Sequence, residues 1–186
     1  MDAGPPASPA TVGIELVMDR IAVPTSEMVD SQIVIKLNED VGPIAYSTDG
    51  EFLATASCRN SWDRPDDTAI YIWATDDGTL VQKLPGARTW VHYLAFSPDG
   101  NRLASGGFDR TVRVWDLRVP KLPPLVLKAH EHVVFRVVFS PDGTKLASAS
   151  EDHLVILWDL ESAKVERAFR DHDCAAYVVE FTPDGK

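Results

Sequence analysis

The sequence predicts an all-β protein built from repeated four-stranded antiparallel units, and three observations carry that prediction. Residues 94–109 (LAFSPDGNRLASGGFD) and 137–152 (VVFSPDGTKLASASED) are nearly the same text, which begins again at 179–186 as VEFTPDGK. The turn glycines Gly50, Gly100, Gly143 and Gly185 fall at spacings of 50, 43 and 42, and Trp73, Trp115 and Trp158 at 42 and 43. Two landmarks with one period are not coincidence, and about 40 to 45 residues is the length of four short strands with their turns. Finally, runs such as TVRVW and VILWDL alternate with period 2 and are bounded by PDG and DDG turns, with no 3.6-residue periodicity to suggest helix.

Taken in order, residues 1–12 form a flexible lead, since MDAGPPASPA is rich in Pro, Ala, Gly and Ser and has no apolar pattern. Residues 13–32 leave room for a strand of an earlier unit, with Ile21–Val23 the best candidate. Repeats follow at 33–84, 85–128, 129–170 and, cut short, 171–186. Each reads as strand, PDG-type turn, strand, short loop, strand, loop, strand. The first spacing is long because SCRNSWDRPDD adds about eight residues between Thr55 and Asp67.

With SPDG and LAS before them, the WDL tripeptides at 115–117 and 158–160 resemble the WD-repeat β-propeller family over roughly residues 33–186. The first repeat departs from the pattern, with YSTDG for FSPDG and IWAT where the WD dipeptide belongs. Such propellers hold about four to eight blades. The resemblance therefore implies an incomplete fragment of a longer propeller, seven-bladed by family likeness, or a half-ring closed by a second chain. Open blade edges would then favour self-association.

The resemblance also assigns a structural tetrad in the third repeat, made of His130, Ser148, Asp152 and Trp158. A His, a Ser and an Asp invite comparison with a hydrolase triad. Ser148 lies inside a strand, however, with neither a sharp elbow nor a Gly-rich flank to build an oxyanion hole. A relay from Trp158 through Ser148 and His130 to Asp152 would instead satisfy buried polar groups. The second repeat keeps Ser105, Asp109 and Trp115 but has Ala87 in the histidine position. No catalytic residue is expected.

Composition narrows the remaining classes. With 18 Lys plus Arg against 28 Asp plus Glu, the net charge of −10 repels phosphate backbones, so nucleic acid is not the expected partner. The N-terminus lacks a signal-peptide pattern and no apolar run is long enough for a membrane span, which makes a cytoplasmic protein the default. Cys58 and Cys174 have no metal-ligand spacing, DRPDD and DDG lack the calcium-loop pattern, and Gly106–Gly107 precede no helix that would make a phosphate loop. No cofactor and no metal are expected.

The function expected is therefore a non-enzymatic scaffold for a protein or peptide partner. Antiparallel blades place their loops alternately on two faces. The face opposite the PDG turns collects Arg59, Trp62 and Arg64 from the insertion, Arg88 and Trp90, then Phe108, Arg110 and His132. Tryptophan and arginine are enriched in binding hot spots, and this patch would suit a peptide with acidic or apolar anchors. Two alternatives accompany it. One is a sensing or substrate-positioning module of a larger enzyme or signalling protein. The other is a substrate receptor of a cullin-type ubiquitin ligase, because DRTVRVWDLR (109–118) resembles an adaptor-docking box.

Overall fold

The computed structural model describes residues 13–18, 25–29, 32–37, 41–57, 69–85, 90–119 and 121–185. All regular structure among them is strand. The first three strands, β1 (Gly13–Met18), β2 (Thr25–Val29) and β3 (Gln32–Leu37), make a sheet of order β1-β3-β2 in which β1 and β3 run parallel. Ile33–Leu37 thus belong to this mixed sheet and not to the blade that follows. Ile21–Val23 lie outside the described residues.

Three antiparallel four-stranded sheets follow, each in simple chain order. The first blade holds β4 (Val41–Tyr46), β5 (Phe52–Ser57), β6 (Ile70–Ala74) and β7 (Leu80–Leu84). The second holds β8 (Val91–Phe96), β9 (Arg102–Gly107), β10 (Thr111–Asp116) and β11 (Leu125–Lys128). The third holds β12 (Val134–Phe139), β13 (Lys145–Ser150), β14 (Val155–Asp159) and β15 (Lys164–Phe169).

The turns explain why the text repeats. In each, a serine hydroxyl donates to the aspartate two residues on, Ser47 to Asp49, Ser97 to Asp99 and Ser140 to Asp142, at 2.5 to 2.6 Å. The same carboxylates accept the backbone N–H of Glu51, Asn101 and Thr144. Gly100 and Gly143 close the turns at a φ of 69°, a left-handed conformation that a side chain would strain. These bonds hold the Asp99 and Asp142 carboxyls down at about 2, with the serine hydroxyl the largest contributor in both.

Blades stack face to face through β4, β8 and β12. The second strands β9 and β13 are small and buried along most of their length, and β9 has a blade on each side. Ala104, Leu103, Leu146 and Ala149 are all fully or almost fully buried. Gly106 shows the tolerance: an added Cβ would lie 2.5 Å from Val134 Cγ1. The tryptophans of the second and third blades fill the seam toward the preceding blade, so Trp115 packs with Ile70, Ile72 and Leu84, and Trp158 with Val112, Val114 and Val137. On the first blade this seam is open. Ile44 is 49% exposed, whereas its register equivalents Leu94 and Val137 are 2% and 0% exposed.

Past β15 the expected strand of a fourth unit is absent, although Ala176 N–H donates to Ser150 O and the turn closes with Gly185 N–H on Thr182 O. The chain there leans on the third blade, and no strand among the described residues pairs with it.

Candidate functional site

Two constellations matter, one buried inside the third blade and one exposed at its rim. The first begins with the Trp158 indole, buried in the seam with an N–H that needs an acceptor. Ser148 faces it from β13, and Trp158 Nε1–H donates to Ser148 Oγ at 2.8 Å. Ser148 Oγ is 2.7 Å from His130 Nε2, and His130 Nδ1 is 2.8 Å from Asp152 Oδ2. An ionised carboxylate only accepts, so His130 Nδ1–H donates to it, which leaves Nε2 to accept the Ser148 proton. Asp152 also takes the backbone N–H of Glu131 and of Leu154, tying the loop before β12 to the loop after β13.

Electrostatics follow from that burial. Desolvation lowers the His130 pKa, outweighing the pull of Asp152 in the other direction. Burial by itself would raise Asp152, but the Glu131 N–H and the His130 ring overcome it and hold the carboxyl below its usual range. The order Ser, His, Asp matches a hydrolytic triad in distances alone. Ser148 is 0% exposed and its oxygen already accepts the indole, so substrate has no approach to it.

The other blades vary the theme. In the first, Trp73 donates to Thr55 Oγ1 at 3.0 Å, an acceptor signalled by LAT in place of LAS. In the second, Trp115 donates to the Pro85 carbonyl at 2.8 Å and not to Ser105. Asp109 turns to Thr111 N–H and Oγ1–H and to the Arg113 guanidinium. The Ser105, Asp109 and Trp115 set is therefore not joined into one relay. Ala87 lies outside the described residues.

The exposed constellation stands at the end of the blades where the first strand starts. Strand register puts Val91 opposite Gly107, Thr111 opposite Lys128, Val134 opposite Ser150 and Val155 opposite Phe169, so the loops 108–110, 129–133, 151–154 and 170–176 share one face. Trp90 and Phe108 stack there at 5.0 Å and 10°. Phe108 is 44% exposed. Arg110 is exposed in the same turn at φ 65°, and His132 is exposed 4.0 Å from Glu151. Arg59, Trp62, Arg64 and Arg88 lie outside the described residues.

Sequence reasoning missed a row of rings on that face. His92 is 5.1 Å from Phe135, Phe135 stacks on Tyr177 at 4.9 Å, and Phe108 reaches His92 at 6.4 Å. The signal was available, since His92, Phe135 and Tyr177 each precede a turn glycine by eight residues. On the opposite face, a cavity of about 270 Å³ is lined by Arg102, Asp142, Thr144 and Asp159. Its polar groups are already engaged within the turns, Arg102 by the Gly143 carbonyl and Asp159 by Ser162.

Among the described residues no set of His, Cys, Asp and Glu is grouped to hold a metal, and no helix is long and apolar enough to cross a membrane. The Arg113 and Arg118 side chains of the 109–118 segment are paired with Asp109 and Asp116. Compared with known proteins, residues 78–116 and 122–159 match the family "WD domain, G-beta repeat". Each match begins with the outermost strand of one blade, β7 or β11, and ends with the third strand of the next. The chain is 36% identical over 93 residues, half of its length, to nuclear distribution protein PAC1-1 of Uncinocarpus reesii. It is 36% identical over 88 residues to a periodic tryptophan protein 2 homolog of Neurospora crassa, and 38% over 68 residues to apoptotic protease-activating factor 1 of Rattus norvegicus. It spans 19%, 9% and 5% of those relatives. Residues 78–116 and 122–159 are thus two WD repeats, which run from the last strand of the first blade to the third strand of the third.

Proposed function

We propose that the chain is the interaction-bearing part of a non-enzymatic scaffold that binds a protein or peptide partner through the face carrying Trp90 and Phe108. WD repeats serve generally as protein-interaction scaffolds. The observation that carries the finer reading is the row of partly exposed rings on the face formed by these loops, since aromatic side chains are strong interface anchors. The sealed Ser148 supports a role without catalysis, and the charge of −10 supports a partner other than nucleic acid. A cytoplasmic location fits this reading.

With a partner captured by pull-down, the double change Trp90→Ala plus Phe108→Ala is expected to weaken binding by more than about tenfold, because truncating hot-spot aromatics costs over about 1 kcal/mol each. Unchanged affinity with an intact circular dichroism spectrum would place the site elsewhere. A second reading, self-association through the open seam of the first blade, is favoured by the exposure of Ile44 and Tyr46. Sedimentation of Ile44→Asp against the parent chain tests it, with loss of the larger species as the expected result.

A further inference from the structure

We propose that the row of rings selects a basic peptide segment, one that presents arginine or lysine side chains to Phe108, His92, Phe135 and Tyr177. This rests on the reading of that face as the partner surface, and it names the chemistry of what binds there. Two of the rings, His92 and Phe135, owe their position to an irregularity built into the blade. Pairing between β8 and β9 shifts between Val91 and Tyr93, and pairing between β12 and β13 shifts between Val134 and Arg136. The residue passed over is His92 in one blade and Phe135 in the other. A bulge takes its extra residue out of the ladder and re-aims the side chain. In the first blade the same irregularity spans Gly42 and Pro43, which offer no aromatic ring, so the row starts at the second blade.

Charge selects the kind of occupant. The loops 108–110, 129–133, 151–154 and 170–176 carry six carboxylates against two arginines, and four of the six, Glu131, Glu151, Asp171 and Asp173, stand outside the buried relay and the Asp109–Arg113 pair. The patch is therefore acidic and aromatic, not cationic, and the whole chain at −10 steers cations toward it. Arginine over an aromatic face is favourable, the more so where water is excluded. The chain already holds one such pair beside the row. Arg136 lies 4.7 Å over the Tyr93 ring and also pairs with Glu180. A partner's arginine on Tyr177, 63% exposed, or on Phe108 would repeat that arrangement with rings that the fold leaves uncovered.

Three fluorescein-labelled peptides of about a dozen residues test this by anisotropy, each a Gly-Ser chain with every third residue Arg, Glu or Leu. Titrations use the full chain at about 0.15 M salt, where exposed charges beyond about 8 Å are screened. The Arg peptide is expected to bind tightest. Phe108→Ser and Tyr177→Ser are each expected to weaken it by about threefold, the size of an exposed cation–π contact. Leu122→Ser, exposed in the loop after β10 on the other face, leaves it unchanged. If Phe108→Ser fails to fold, Tyr177→Ser alone carries the test. Arg-peptide binding that neither ring variant moves reports attraction to net charge only and overturns the proposal, as does the absence of binding. Tighter binding of the Leu or Glu peptide, weakened by the ring variants, overturns the basic chemistry while leaving the surface itself standing.

Discussion

The second and third blades have nearly the same text and the same strands, yet they satisfy their buried tryptophans in different ways. In the third, the indole proton enters a relay through Ser148 and His130 to Asp152, which also fastens two loops. In the second, it goes to the Pro85 carbonyl at the end of the preceding blade, and Asp109 serves its own turn. The indole N–H must be met, but a backbone carbonyl meets it as well as a hydroxyl does. What the relay adds is a link from the seam between blades to the loops before β12 and after β13.

That contrast is tested most sharply by removing the two equivalent serines. Ser148→Ala strands both the Trp158 N–H and the His130 ring, at about 1–3 kcal/mol for each buried group left alone. Ser105→Ala is expected to change stability by less than about 0.5 kcal/mol, as substitutions away from such networks usually do. Equal losses in urea denaturation would erase the distinction between the blades. Next in size comes Asp152→Ala against Asp109→Ala. Asp152, with its side chain 5% exposed, holds His130 and two backbone N–H groups. Its loss is expected to cost about 2 kcal/mol, whereas the more exposed Asp109–Arg113 pair is worth about 1 kcal/mol or less. A larger fall in melting temperature for Asp109→Ala would reverse the comparison.

The third blade alone carries a buried imidazole, so acid should separate the two. The folded pKa of His130 lies below its ordinary 6.5. As pH falls past 6.5 the unfolded chain therefore takes up the proton first, and stability that is complete above 6.5 declines below it until the folded ring titrates too. His130→Gln lacks this step, so the stability gap between parent and variant is expected to narrow as pH drops from about 7.5 toward 5. A gap independent of pH would show that the ring is not held neutral. The smallest effect belongs to the turns, where both blades behave alike. The carboxyls of Asp99 and Asp142 titrate at about 2, so what they contribute is complete above the ordinary 3.8 and lost as pH falls toward 2. Asp99→Asn and Asp142→Asn should each shift the melting temperature slightly and equally at neutral pH, and by less at pH near 2.

Much of this could be read in the residues. Alternation and PDG turns locate the strands of the second and third blades because both are local signals, enforced within a few residues. The relay residues were legible because the side chains themselves take part. Pro85 was not, since a backbone carbonyl leaves no trace in residue type. Thr55 was passed over because a hydroxyl on a β-branched residue also reads as an ordinary strand former. The row of rings escaped for a different reason. His92 and Phe135 are displaced by bulges, and an extra residue in one strand is invisible unless the repeats are aligned by position.

The offset between repeat and blade has a consequence for how such a chain can grow or shrink. The matched segments 78–116 and 122–159 each run from the outer strand of one blade through three strands of the next. The unit that recurs in the matched sequence is therefore out of phase with the unit that packs. Excising residues 79–121 would remove β7 to β10 and bring β11 behind β6, which completes the first blade with an equivalent strand. Duplication works in the same way in reverse. Blade number can thus change by recombination at these loops without leaving a three-stranded remnant, and each new seam inherits a tryptophan already placed to fill it.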